Sequence, residues 1–552
     1  MAIGEFIAHE IILHCASCKK IFPSSELRSL GPDRCKFGYD VMEYVGKALF
    51  IECRRDSVIV SDLKDRNIEI SDREVSYLGK KFIIYLAIAH REARERIRKG
   101  MDKRGGYVLH IDGTCDKDSP HLISGMDGLS EIILGNIKAP SEKSGVLIPF
   151  LEDLKQSYGL PVALVHDMGS GIQKAIDKVF PGVADYICHF HFLRDIGKDL
   201  LGQEYAMIRT CLKNNRARSL LRARAKTLQA NFTNNKEMID QISQFLKSGD
   251  VFGSFSSKIR EQMAYILIQW ILDADNELDG YGFPFDRHHL IFVNRIFAAR
   301  KLIEQIKDHA PDNRDMFARI KSNKPLVPLL NLLNSLLRNK HLCQAVREMR
   351  KKIEVFEKLR DAMRIALPAE SDGLNDDGAD ADIHTIQENL EKFKEWLLSY
   401  EFPYGINDYL GMIKQLEKYW AKLFAKPINV QTAEGPAKIY PQRTNNSMER
   451  LFRYLKRNHR RKTGVTQMSR ALKAMLADTP LVKNLSNPEY LTIILDGRTS
   501  LFERFADIDV SLARQKLKES KINQQRLPTQ LIKLIRREKF IDEINKGFAR
   551  AS

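Results

Sequence analysis

The chain has 552 residues, of which 43% are hydrophobic, enough for about three to five packed domains and too many for wholesale disorder. Eight cysteines are too sparse for a disulfide-stapled secreted fold, and the longest apolar run, Phe82 to Ala89, is too short for a membrane span, which needs about 20 residues. Lys plus Arg number 88 against 71 Asp plus Glu, so the formal charge is +17, and an intracellular protein with a polyanionic partner and no membrane association is expected.

The first residues, Met1 to Phe6, lack the basic stretch that opens a signal peptide. Cys15 and Cys18 sit in a polar loop, with Cys35 and Cys53 following, so residues 1–60 read as a small mixed region and a candidate zinc-binding module. Residues 61–104 read as a helical segment. From Arg73 to Gly100, Val75, Leu78, Phe82, Tyr85 and Leu86 recur at helical spacing behind a Ser71-Asp72 cap, and a turn at Leu78-Gly79 would make it a helix-turn-helix for DNA.

Residues 105–192 change character. Gly106 to Asp112 alternates as a strand, and His121 to Met126 is a second, with a turn at Asp127-Gly128 leading to a third at Glu131 to Ile137. A helix from Val146 to Tyr158, a strand from Pro161 to Asp167, a short helix from Gly169 to Phe180 and a strand from Ala184 to Phe190 complete a β-β-β-α-β-α-β order. That order predicts an α/β fold with a mixed five-stranded sheet flanked by helices. Residues 193–440 read as a large all-helical insertion, broken only by an exposed acidic loop at Ala369 to Asp382. Residues 441–477 hold one strongly basic helix, and residues 478–552 a helical C-terminal region.

Three carboxylates stand out by position. Asp112 ends the first strand of this sheet, and Asp167 ends the fourth, just before Gly169-Ser170-Gly171 opens a helix. Strand ends beside such turns are where α/β sheets build sites, and if the two strands are neighbours the acids meet. Paired carboxylates are hard ligands for Mg²⁺ (or Mn²⁺), and two such ions about 3.5–4 Å apart suit phosphodiester chemistry. Either Asp taken alone is better explained as a helix cap or Asx-turn. The third acid, Glu449, shares a helical stripe with Arg453, Lys456 and Arg460, beside Arg457, Arg461 and Lys462, while Met448, Leu451, Phe452 and Leu455 form a separate apolar face. An acid for the metal and cations along a nucleic-acid backbone is one reading; a capping box with Asn446 at the cap and Glu449 as its third residue is the other.

Together, the strand order, the Asp on the first strand, the Asp closing the fourth and the Glu on a late helix resemble the ribonuclease H-like core of DDE transposases. The stretch Val179 to Ile196, with Phe180-Pro181 leading to Cys188-x-x-His191, resembles the segment after the second Asp in the Mutator-like group of insertion-sequence transposases. His110 to Thr114 and Asn445 to Gly464 resemble the blocks carrying their first Asp and their Glu. The resemblance covers about residues 105–192 and 441–470, and that group also carries a large helical insertion before the Glu. It implies that Asp112, Asp167 and Glu449 hold two Mg²⁺ ions, and that water and then a freed 3′-hydroxyl attack phosphodiesters at element ends and in target DNA. It also implies that Cys188 and His191 position DNA ends, and that a dimer or higher oligomer holds two ends at once in the nucleoid or nucleus.

Cys15-x-x-Cys18 is one zinc knuckle, and a mixed site using Cys35 with His14 or Cys53 would complete it; four reduced cysteines are the alternative. No phosphate-loop, dinucleotide or hydrolase-elbow motif supports another enzyme. The rivals are a non-catalytic, domesticated DNA-binding protein and a stand-alone ribonuclease H-like nuclease.

Overall fold

In the computed structural model, the described residues are 9–22, 24–32, 35–231, 257–277, 280–308, 326–365, 380–399, 409–522, 529–538 and 540–544, with isolated residues 239, 240, 243 and 324. The expected acidic loop at Ala369 to Asp382 lies outside them apart from its last three positions, as do Met1 to Phe6. Two compact units result, one of Met1–Tyr186 with Lys426–Ser552 and one of Ile187–Ala425.

The first unit opens with a hairpin of β1 (Leu13–His14) and β2 (Ile21–Phe22) and then five helices, α1 (Ser25–Leu30), α2 (Tyr39–Phe50), α3 (Asp56–Lys64), α4 (Asp72–Glu92) and α5 (Arg94–Lys103). The mixed sheet that follows uses β3 (Val108–Thr114), β4 (His121–Asp127), β5 (Ile133–Ala139), β6 (Ala163–His166) and β7 (Ala184–Ile187), with α6 (Ser144–Tyr158) and α7 (Ser170–Val179) between the later strands. Its spatial order is β5-β4-β3-β6-β7, so the β-β-β-α-β-α-β reading holds. β3 is antiparallel to β4 and parallel to β6, and β4 is antiparallel to β5. β3 is central and nearly continuously buried, as a strand packed on both faces must be.

Several expectations need correction. α4 does not turn at Leu78-Gly79. It is one helix, started by a full capping box between Ser71 and Glu74 and buried without a break from Phe82 to His90. Gly79 is there for packing: a Cβ on it would lie 2.5 Å from Leu49 Cδ1 on α2. A helix buried on all sides along this run is a core element and cannot also be a groove-reading helix. One apolar cluster joins α2 to α5, the sheet, the helix carrying Glu449 and the C-terminal residues Leu481 to Leu517. The boundaries drawn at residues 60, 104 and 477 therefore run through a single core. Ile428–Thr432 (β8) and Gly435–Ile439 (β9) form an antiparallel hairpin where the insertion was expected to continue. Its signal is alternation: Ile428 and Val430 pack on Val108, Ala163 and Val165, while the residues between face outward.

Buried His90 ties the C-terminal helices to the sheet. Its Nε2 donates to Leu134 O at 3.0 Å, and Tyr490 donates its hydroxyl to Nδ1 at 3.0 Å. Burial holds its pKa down, at about 4. The ring is thus neutral in the folded chain, whereas the unfolded chain protonates it below about pH 6.5. This part of the stability is whole above pH 6.5 and is lost as pH falls toward 4, a change of the order of 3 kcal/mol. Urea midpoints measured across that window should fall with pH, and His90→Gln should flatten the slope.

The second unit is helical. α8 (His189–Asn214) packs along the helix Lys340–Met363, which also packs on Asp380–Ser399. Helices Ser257–Leu272, His288–Asp308, Val327–Leu337 and Leu410–Leu423 complete its described part. The strand expected to reach Phe190 stops at Ile187, because the chain closes a helical turn there, with Phe192 N donating to Cys188 O at 3.0 Å. A short apolar run such as Cys188 to Leu193 suits a strand or a buried helix equally. Among the described residues, no helix is long and apolar enough to cross a membrane.

Candidate active site

The β3–β6 register pairs Val108 with Ala163, Leu109 with Leu164 and His110 with Val165. Asp112, still within β3, and Asp167, one residue past the end of β6, each lie two residues beyond the last of these pairs. Asp112 is 5% exposed, and its Oδ1 accepts from Gly113 N at 2.7 Å; Asp167 Oδ1 accepts from Gly169 N at 3.4 Å, at the start of α7.

Glu142, in the loop before α6, lies close to both the end of β3 and the start of α7. Its Oε1 stands 2.7 Å from where a Cβ on Gly113 would lie, and its carbonyl oxygen 1.9 Å from where one on Gly171 would lie. Gly171 is therefore required: any side chain there would drive the α7 start off the Glu142 backbone. The Glu142 carboxylate also accepts from His121 Nδ1 at 3.0 Å.

The helix Asn446–Thr463, which carries Glu449 in its first turn, packs on β3. Its apolar face (Met448, Leu451 and Phe452, with Leu455 partly covered) is packed into the core, as its periodicity required. The cap is Asn445 rather than Asn446, so Glu449 is the fourth helical residue and the capping-box explanation falls. The Asn445 side chain caps nothing. Instead its Oδ1 accepts from His110 Nδ1 at 2.9 Å, and its Nδ2 donates to Ile111 O at 3.2 Å. One turn later, Glu449 N donates to Asn445 O at 2.9 Å. Past the helix, Asp116 Oδ2 accepts from Met468 N at 2.6 Å and Ser469 N at 3.2 Å. The chain on both sides of Glu449 is thus pinned to β3 and the loop that follows it.

Of the expected DNA-contacting cations, Arg453, Lys456, Arg457, Arg460 and Arg461 are exposed on this helix. Lys462 is not free for that task, because its ammonium pairs with Asp56 at 2.8 Å. Cys188 and His191 belong to the second unit, at the cap and first turn of α8, and are 1% and 6% exposed. Burial, helped by the charges of Arg194 and Lys198, holds the His191 pKa down, at about 3. So buried, neither side chain reaches DNA directly.

The four N-terminal cysteines do not assemble. Cys15 and Cys18 share the β1–β2 turn, Cys35 lies against the Lys81 ammonium, and buried Cys53 faces Ile51 O at 3.6 Å. Among the described residues, no three His, Cys, Asp or Glu side chains are grouped as a ready ligand set.

Sequence reading passed over His110, Asn445, Glu142, His166 and Asp185. His110 lies two residues before Asp112, hence on the same face of β3, which was a usable signal. The buried His166 ring sits between Asp167 O at 2.6 Å and Asp185 Oδ2 at 3.3 Å, bracing the strand end that carries Asp167. These features define an α/β protein built on a central five-stranded mixed sheet. No family model matches the chain, and no curated protein matches its sequence.

Proposed function

We propose that the chain is a DDE-type transposase with a ribonuclease H-like core, cutting DNA at element ends and joining the freed ends to a target. The observation that carries the reading is the parallel pairing of the two strands that lead into Asp112 and Asp167, with the Glu449 helix anchored by Asn445 to the same central strand. The strand order, with the first sheet strand between the second and the fourth, supports it as well.

Asp112, Asp167 and Glu449 form an oxygen-only donor set, which suits a hard divalent cation, and they would hold Mg²⁺ (or Mn²⁺). When bound, the ions would supply the charge that activates the attacking oxygen and steadies the leaving one. The protein's own part is positional. Asn445 and His110 fix where the helix carrying Glu449 starts, and the exposed arginines of that helix offer phosphate contacts whose strength falls with salt.

The test uses full-length protein, Mg²⁺, duplexes carrying the DNA that flanks its own gene, and a plasmid target. Nicks that leave 3′-hydroxyls, followed by covalent joining to the plasmid, are the expected result. Binding without any cut in Mg²⁺ or Mn²⁺ would make it a DNA-binding protein only; cutting without joining would make it a nuclease.

A further inference from the structure

The β1–β2 hairpin is built in a way that the proposed chemistry does not use. Each strand is two residues long, paired Leu13 to Phe22 and His14 to Ile21, and the turn between them carries Cys15 and Cys18. Cys15 N donates to Lys20 O at 2.9 Å, and Lys19 N donates back to Cys15 O at 3.0 Å. Lys19 takes a left-handed φ of +59° to close the turn. Cys18 N approaches Cys15 Sγ at 3.5 Å, an N–H aimed at sulfur that favours a thiolate. A tight turn with two thiols three positions apart is half of a tetrahedral zinc site.

Among the described residues, the second half is not within reach in the same chain. Cys35 and Cys53 are engaged elsewhere, and among the described residues no third ligand joins the pair. The flanks of the turn are also uncovered: Ile11 is 83% exposed, Ile12 54%, Leu13 64%, Ile21 62% and Phe22 52%. A ribbon this short does not hold its shape alone, and so dense an apolar patch marks a contact surface. A second copy of the chain meets both needs. A two-fold contact is self-complementary, so it brings the same two thiols and the same apolar flank. Four thiolates around Zn²⁺ carry a net charge of −2, which Lys19 and Lys20 of the two turns offset.

We propose that Cys15 and Cys18 bind Zn²⁺ as half of a four-thiolate site completed by the same two residues of a second copy, with the apolar flanks of the two hairpins packed together. Binding releases the thiol protons and changes no oxidation state.

Zinc per chain, measured on the full-length protein together with its mass in solution, tests this. The expected result is one ion per two chains on a dimer, with Co²⁺ substitution giving the strong sulfur-to-cobalt absorption of a tetrahedral four-thiolate site. Cys15→Ser should lose the ion. One ion per chain, no retained ion, or a cobalt spectrum of fewer than four thiolates would each overturn the proposal. The stoichiometry and the spectrum are read on the unaltered protein, so a poorly folding variant does not blunt the test.

Discussion

Asp112→Asn is expected to lower Mg²⁺-dependent DNA cleavage about 10³-fold while leaving DNA binding and folding nearly unchanged, because one preorganised charged group at a reacting centre is worth roughly that much. The substitution keeps the shape of a 5%-exposed side chain and removes its charge. An amide can still accept from Gly113 N, the 2.7 Å bond that holds the strand end, so the local backbone has no reason to move. Binding is carried elsewhere, by the exposed Arg453, Lys456, Arg457, Arg460 and Arg461, and should keep its salt dependence. Asp167→Asn and Glu449→Gln should behave alike, and a double variant should be little worse than a single one, since residues acting as a unit are not additive. Cleavage is read on labelled duplex, binding by titration at fixed salt and folding by thermal unfolding. A variant that cuts at the normal rate removes its residue from the site. One that loses binding together with cutting shows a structural acid instead.

The sheet was legible because its strands carry their own signals, alternation in β3 and turn residues between β4 and β5, and because chain order prunes the ways such strands can pair. The places of Asp112 and Asp167 at the ends of neighbouring strands were legible too, because a crossover helix implies that β3 and β6 pair. What holds the acids in place was not. Asn445 reads as one more cap-forming residue until its partner, 335 positions earlier, is known, and nothing local marks His110 as that partner. Domain limits failed for a related reason: α4 and the C-terminal helices look like separate amphipathic segments, yet Phe82 and Tyr85 close on Phe505 with ring centroids 5.7 and 5.6 Å apart. Burial on every side of α4 follows from elements distant in the chain, which a local period cannot report. Cys188 to Leu193 failed by degeneracy, since its aromatic run satisfies a strand and a buried helix start alike.

The largest structural effect should come from Asn445→Ala. The side chain is fully buried and spends both ends of its amide on β3, accepting from His110 and donating to Ile111. Truncation removes two buried hydrogen bonds, at about 2–4 kcal/mol together, and the urea midpoint should fall accordingly. Asn445→Asp keeps an acceptor for His110 and loses the donor to Ile111, so about half the loss is expected. The catalytic consequence is separable from the stability loss. The apolar face of the helix still docks through Met448, Leu451 and Phe452, so the chain folds at low temperature, but the start of the helix is no longer held to β3. A shift of about 1 Å in a reacting group costs roughly 10²-fold in rate. Cleavage should therefore fall by about that factor under conditions where the variant is fully folded, with DNA affinity unchanged because the exposed arginines lie beyond the clamp. Unchanged cleavage in a folded but destabilised variant would mean that Glu449 is set by the apolar face alone, and that the His110–Asn445 bond serves the fold rather than the site.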